Sequence, residues 1–390
     1  MSTLLVQGFT LIGIVLLGIS ACGSLYVIVS VLVFARFFAG RSDDCRPRGE
    51  AVTLLKPLCG AEPRLESNLS SFVAQAHDGP VQLICGVHGG DEPAIAAVAA
   101  LRAAWPERDI AMITCPTAIG TSGKISNLAS MNEVAVHPIV VISDSDIVAS
   151  PDYLTRVITA LDGPGVGAVS LLYDGRSDGG FWSSLSAAGI SYQFLPGAVF
   201  GVSSGLAEPC MGSTIAMSRS TLDRIGGFER FVDVLADDYA IGESIRQLDL
   251  DVVVPPYLVT HACAEQTFMD LWRHEIRWGV TLRSLVPGAY AASVIGMPLP
   301  LAILGAACLP SHLLATALIA IAWMARIVLA RTVDRQVGRN AAPLWLLPAR
   351  DCLTLAVFVA SFFVRSVEWR GQRFRMETEG RMSADNGVVA

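Results

Sequence analysis

From Leu4 to Phe34 the chain carries no Asp, Glu, Lys or Arg. A membrane span needs about 20 apolar residues, so this run is ample. It is too long for the apolar region of a signal peptide, and no basic residue precedes it. Arg36, Arg41, Arg46, Arg48 and Lys56 follow, which puts that flank in the cytosol with the amino end outside. The apolar signal fades from Gly40 to about Leu285, then returns. Ala289–Leu309 and Leu313–Leu329 read as two spans split at Pro310-Ser311 and followed by Arg331, Arg335 and Arg339. Cys352–Val364 is shorter. A third span there would place Arg365, Arg370, Arg373 and Arg375 outside, whereas a re-entrant or interfacial helix would not. Both readings stay open.

Composition agrees with a folded domain attached to membrane helices. Hydrophobic residues make up 52% and charged residues 16%, against about 25% charged in an average soluble domain. That excludes intrinsic disorder. A net charge of −7 does not favour a nucleic-acid partner. The nine cysteines form no CxxC pair, so neither a zinc site nor a redox pair is legible; a reducing, cytosol-facing setting follows most simply. The chain thus divides into a transmembrane helix over 1–38, a cytosolic unit over 40–285, membrane helices over 286–367 and a basic tail over 368–390.

The middle unit alternates strands and helices. Val52–Pro57, Val81–Val87, Ile110–Cys115, Val136–Ser143, Gly167–Leu172 and Asp251–Val254 are strand-like, with β-branched or apolar runs and Gly or Pro boundaries. Ala94–Ala104 and Pro151–Leu161 are helical, the first preceded by Asp91 and Glu92 as cap-region acids. Such alternation predicts an α/β fold with a parallel core sheet. Ligands of such sheets bind beyond the carboxyl ends of the strands.

Four motifs fall where that rule wants them. Asp144-Ser145-Asp146 leaves the end of an apolar strand. It is either a turn or a carboxylate pair for a hard divalent cation and phosphate oxygens. Lys124 and Asn127 sit in a glycine-flanked segment (Gly120–Leu128, GTSGKISNL) that opens a helix. This is a solvated helix start or a phosphate cradle, though not a P-loop, because Ile125 stands where Ser or Thr is required. Asp237-Asp238 precedes another helix, either as dipole partners or as a pair in which one acid is raised toward a general base. Arg273–Trp278 (RHEIRW) is an interfacial anchor or a diphosphate-binding Arg277 beside Trp278. In this order on one α/β unit, the four describe transfer of a sugar from a nucleotide-sugar.

A hydrolase reading competes. Gly201–Gly205 (GVSSG) fits the GxSxG pattern around Ser203, His88-Gly89-Gly90 resembles an oxyanion loop, and Asp238 and His261 follow in triad order. Pro209 interrupts the helix that a nucleophile elbow requires. A catalytically silent membrane scaffold and a processive polymer synthase are the other rivals. The few spans speak against a polymer channel.

The chain resembles the ceramide glucosyltransferase-like branch of the inverting GT-A glycosyltransferases. Leu55–Gly60 (LKPLCG), Lys124–Leu128 (KISNL), Asp144–Asp146 (DSD), Leu235–Tyr239 (LADDY) and Trp272–Trp278 (WRHEIRW) carry the resemblance. It implies a GT-A (nucleotide-diphospho-sugar transferase, Rossmann-like) α/β domain and a Mg2+ or Mn2+ cofactor held by Asp144 and Asp146. It further implies Asp238 as the catalytic base, and Asp91, Lys124, Asn127, Asp144, Arg277 and Trp278 on the nucleotide-sugar. Asp237, His274, Met211 and Gly212 fall on the acceptor side. The donor is a UDP-sugar and the acceptor a membrane lipid hydroxyl. Within that branch it looks closest to the bacterial hopanoid-biosynthesis glycosyltransferases, and His274, standing where the family has Gln or Arg, is compatible with those relatives. That points first to UDP-N-acetylglucosamine and a hopanoid, with UDP-glucose and ceramide as the alternative, at the cytosolic face of the inner membrane.

Overall fold

The computed structural model describes residues 3–40, 49–60, 62–115, 119–309, 313–364, 366–369, 372–376 and 382–384. Arg41, Arg46, Arg48, Arg365, Arg370 and the Pro310-Ser311 break lie outside the described residues. Strands are β1 (Val52–Pro57), β2 (Val81–His88), β3 (Asp109–Cys115), β4 (Ile139–Ile142), β5 (Ile147–Val148), β6 (Val166–Ser170), β7 (Leu172–Ser177), β8 (Ile215–Ser218), β9 (Asp251–Val253) and β10 (Leu258–Cys263). Helices of the same region are α1 (Thr3–Ala39), α2 (Leu65–Val73), α3 (Glu92–Ala104), α4 (Gly123–Asn132), α5 (Tyr153–Leu161), α6 (Phe181–Gly189), α7 (Leu195–Ser204), α8 (Arg219–Arg224), α9 (Asp237–Arg246) and α10 (Phe268–Leu285). A π-helical turn, Ile190–Phe194, joins α6 to α7. Beyond α10 come α11 (Pro287–Ala292), α12 (Pro298–Ala307), α13 (Leu313–Val337) and α14 (Leu347–Ser361).

The main sheet runs β3-β2-β1-β4-β8-β6-β9, and a smaller one runs β5-β10-β7. The four strands β3 to β4 are mutually parallel. The expectation of a parallel core sheet fails at β8, which is antiparallel to both β4 and β6. This reversal has a consequence for the site. Ile142, at the end of β4, pairs with Ile215, at the start of β8. Residues just after β4 and just before β8 therefore emerge at one edge. The Val136–Ser143 strand is shorter than its apolar run implies, because Pro138 has no N–H to give to a ladder. Gly167–Leu172 is two strands, one in each sheet.

Both faces of the parallel strands are buried, so their side chains alternate between two apolar layers. Leu54, Leu83 and Val141 pack with Leu69, Phe72 and Tyr153, whereas Leu55, Ile84 and Ile142 pack with Ile125, Leu128 and Ile241.

The membrane-type helices depart from expectation in two places. Ala289–Leu309 is not one straight span: α11 with its 3-10 extension and α12 meet at 71°. Pro298 starts α12 and cannot continue the preceding helix. In addition Phe181–Ser204 is long and apolar enough to cross a membrane, as are Val6–Ala39, Leu313–Val337 and Leu344–Ser361. The region of 368–390, read as a basic tail, carries antiparallel strands β11 (Ser366–Trp369), β12 (Gln372–Met376) and β13 (Met382–Ala384).

Two arginines fasten these helices to the α/β part. Arg326 of α13 is 1% exposed. It gives two hydrogen bonds to Asp351 of α14 (2.9 and 2.7 Å) and one to the Tyr192 carbonyl (2.5 Å). Arg350 pairs with Glu275 of α10 and donates to the Leu185 carbonyl at 3.3 Å. Removing one partner strands a buried charge. Asp351→Ala should therefore lower unfolding stability by about 3–5 kcal/mol, read as a drop in thermal midpoint in detergent. Replacing both partners with Arg326→Met and Asp351→Leu should recover most of that loss.

Candidate active site

The parallel strands deliver their following residues to one edge. Ser122 caps α4 by accepting from the Ile125 N–H, and its own N–H donates to the Val232 carbonyl at 2.7 Å. The Thr121 N–H donates to Asp233 at 3.0 Å. These bonds hold the start of α4 against the segment leading into α9. Lys124 and Asp237 are thereby brought together.

The centre of the cluster is Lys124. Its ammonium lies 2.8 Å from Asp144 Oδ1 and 3.2 Å from Asp237 Oδ2. Burial disfavours its charge, but Asp144, Asp237 and Asp238 together hold its pKa above the ordinary lysine value. Asp238 accepts from the Gly212 N–H at 3.0 Å and from the Tyr239 N–H at 2.8 Å. Its carboxyl is pushed up to about 6 by burial and by the charge of Asp237, against the pull of Lys124. Gly212 is the floor of this space. A Cβ there would stand 3.0 Å from Asp144 Oδ2, 3.0 Å from Lys124 Nζ and 3.7 Å from Asp238 Oδ2. Met211 is fixed beside it by an N–H bond to Ser170 Oγ at 2.7 Å.

Asp146 Oδ2 is 3.1 Å from His261 Nε2. Burial raises its carboxyl, but the neighbouring imidazolium outweighs this and holds it at about 2. Its other oxygen, Oδ1, is buried without a hydrogen-bond partner. An orphaned carboxylate oxygen beside Asp144 is a hard oxygen donor set, which fits a divalent cation. Among the described residues no group of three or more His, Cys, Asp and Glu side chains forms a complete metal site.

Two sequence-predicted residues, Asp91 and Asn127, are taken up by structural bonds, while His274 and Trp278, on α10 with Arg277, stack beside His261. Asp91 caps α3 and accepts from the Gly60 N–H at 2.6 Å, which ties the ends of β1 and β2 together. Asn127 turns to the sheet. It is 1% exposed and donates to the Gly86 carbonyl at 2.8 Å, fastening α4 to β2 where Gly86 leaves no room for a side chain. His274 bonds Glu265 at 2.7 Å and its ring lies 4.7 Å from that of Trp278. Arg277 is half-buried on the same helix. The hydrolase reading fails on geometry. Ser203 lies in the last turn of α7, exposed and not on a strand-to-helix elbow, and His261 is engaged by Asp146.

Lys56, read from sequence as a flanking charge and part of the LKPLCG motif, is no surface charge but a residue of β1. It is fully buried and donates to Ser143 Oγ (3.0 Å) and the Asp144 carbonyl (2.8 Å), with its ammonium 3.3 Å from the Phe72 ring centre. Burial lowers its pKa to about 7 despite the attraction of Asp144 and Asp146. His261, read from sequence only as a hydrolase triad member, is instead the partner of Asp146, and Glu265, the partner of His274, belongs to no local motif.

This mixed sheet, with acids and a lysine at the carboxyl edge, defines the GT-A glycosyltransferase fold. A mannosyltransferase from Pyrobaculum calidifontis, solved with GDP-Man and Mn2+, aligns over 89% of this chain and 99% of its own at a TM-score of 0.52 and 19% identity. The chain belongs to glycosyl transferase family 21, whose signature matches residues 15–382. It is 25% identical over 277 residues to ceramide glucosyltransferase 1 of Caenorhabditis elegans, covering 68% of this chain and 58% of that one. It is 26% identical over 204 residues to ceramide glucosyltransferase 3 of the same organism, covering 50% and 42%. The chain thus spans less than two thirds of the length of these relatives.

Gly212→Ala places a methyl group against Asp144 and Lys124. Both neighbours must give by a few tenths of an ångström, and since a misplacement of ~1 Å can cost about a hundredfold, turnover should fall by up to that factor. That loss should appear with an unfolding midpoint close to wild type, measured side by side in detergent.

Proposed function

We propose that this protein transfers glucose from UDP-glucose to the hydroxyl of a ceramide-type membrane lipid, with inversion at the anomeric carbon. The observation that carries the reading is the convergence of Lys124, Asp144 and Asp238 around the bare backbone of Gly212, with the orphaned Asp146 oxygen nearby in the sequence. The choice of glucose and ceramide follows the relatives, whose names state that chemistry. The relatives carry ceramide and not hopanoid chemistry in their names, so the transfer to a hopanoid is the weaker of the two readings.

In this mechanism Asp144 and Asp146 would hold a divalent cation, Mg2+ or Mn2+, which when bound neutralises charge on the departing diphosphate. Lys124 supplies a fixed positive charge at the same end of the donor, and Arg277 and Trp278 close the donor side. Asp238 accepts the proton of the lipid hydroxyl as that oxygen bonds to the anomeric carbon and the bond to UDP breaks. Its backbone bonds from Gly212 and Tyr239 hold the carboxylate in place. The Leu313–Val337 helix and the arginines that follow its apolar part, Arg331, Arg335 and Arg339, support a catalytic unit at the cytosolic face of the inner membrane.

A base must be ionised to work, and the Asp238 carboxyl is raised to about 6. kcat/KM should be flat above neutrality and fall about tenfold per pH unit below about 6. Asp238→Asn should cut turnover by about a hundred- to ten-thousandfold with UDP binding retained. Near-normal turnover of that variant would remove Asp238 from the role. Mass spectrometry of lipids from cells with and without the protein identifies the product. Loss of a hexosyl sphingolipid supports the proposal, and loss of a hexosamine-bearing hopanoid replaces it.

A further inference from the structure

The Phe181–Ser204 helix takes no part in the chemistry above, yet its construction is specific. It is as apolar as a span, but 61% of its apolar window is buried, against 33% for each of the other three candidate spans. It is broken by the π turn Ile190–Phe194, a rare conformation that is frequent at functional sites. The turn is clamped. Arg326 caps the Tyr192 carbonyl, the Tyr192 hydroxyl donates to Asp334 at 2.7 Å, and Arg350 caps the Leu185 carbonyl. Gly189 admits the Arg350 guanidinium, because a Cβ there would lie 2.9 Å from its central carbon.

Phe194 is the last residue of the clamped turn. Its ring centre is 4.9 Å from Tyr173 and 6.3 Å from Trp278. Trp278 lies 4.7 Å from His274, His274 lies 6.4 Å from His261, and His261 lies 5.7 Å from Tyr173. The five rings close a circuit beside Asp146, the partner of His261. Met211, the neighbour of Gly212, packs in the same two apolar clusters as Phe194. Six residues along, or about 9 Å of helix, Phe200 meets Tyr26 of α1 edge-on at 4.9 Å. Half-buried aromatic side chains thus form a strip that winds around the helix from Tyr26 of α1 to the rings beside Asp146.

We propose that this strip is the path of the acceptor's hydrocarbon chain and that Phe194 is a specificity-determining residue for a long-chain lipid alcohol. The proposal rests on the glycosyl-transfer reading of the site. The test uses the full chain in nanodiscs with UDP-glucose and two acceptors, a long-chain ceramide and a short-chain analogue. Phe194→Ala should raise KM for the long-chain acceptor about tenfold or more, as expected for a lost buried phenyl contact. It should raise KM for the short-chain acceptor far less and leave KM for UDP-glucose within about twofold. Phe194→Leu should restore most of the long-chain KM. Equal changes for both acceptors, or a change confined to UDP-glucose, overturn the proposal. If the wild-type protein transfers to neither acceptor although it binds UDP, the parent reading fails and takes this one with it. If wild type transfers normally and Phe194→Ala leaves the long-chain KM unchanged, this inference alone fails.

Discussion

A side chain at position 212 would occupy the space in which Lys124, Asp144 and Asp238 approach one another, and the surrounding architecture keeps that space open. The charges there are close to balanced. Asp144, Asp146, Asp237 and Asp238 face the ammonium groups of Lys124 and Lys56 and the imidazole of His261. Burial makes each unpaired charge costly, so the group with the poorest compensation moves furthest toward its neutral form. Lys56 does so most, falling to about 7, and among the acids Asp238, whose nearest neighbour in sequence is another acid, rises to about 6. Asp146 moves the opposite way because His261 is dedicated to it. Asp146, just beyond β4, and Asp238, in the first turn of α9, are thus given different proton affinities by different partners, which suits Asp238 to accept a proton and Asp146 to stay ionised.

The direction of β8 makes this possible. Had β8 run parallel to β4, the segment preceding it would emerge at the opposite edge of the sheet, and Gly212 could not meet Asp144. Beneath them Lys56 fixes the end of β4 through Ser143 and the Asp144 carbonyl. The C-terminal helices then close the back of the site through Arg326–Asp351 and Arg350–Glu275. Such buried pairs add little net stability over apolar packing, but each tolerates only one geometry. Glu275 lies two residues before Arg277, so the membrane-side helices and the Arg277-Trp278 end of the site are mechanically continuous.

Much of this was legible in the chain. The strands β1, β2 and β3, the long α1 helix, and the motifs around Lys124, Asp144 and Asp238 stand where local patterning places them, because each rests on short-range signals: apolar periodicity, a serine cap, acids after a strand. What escaped depends on long-range pairing. The antiparallel sense of β8 leaves no mark in IAMS, and the bond between Asp146 and His261 joins residues 115 positions apart in sequence. Asn127 looked like a ligand by its place beside Lys124, but helix phase turns it inward to Gly86. The Phe181–Ser204 helix was missed because its serines and glycines dilute its apolar character.

The geometry of α1 bears on how a membrane lipid and a water-soluble donor meet. Its 37 residues extend about 55 Å, well beyond the roughly 30 Å of a bilayer's hydrocarbon. Its far end is not left in water: Phe34 and Phe38 are buried with Leu185, Tyr192 and Leu195. The helix therefore carries the α/β unit on its own extension, and α7 runs back along it from Leu195 to Phe200 opposite Tyr26. On the proposed reading, an acceptor need not leave the bilayer to react. Its chain follows α7, while only the hydroxyl rises to Asp238. The donor approaches Lys124 and Asp144 from the aqueous edge of the sheet. The aromatic circuit around Phe194, which includes the His261 partner of Asp146, then marks the boundary between the apolar and charged halves of the reaction.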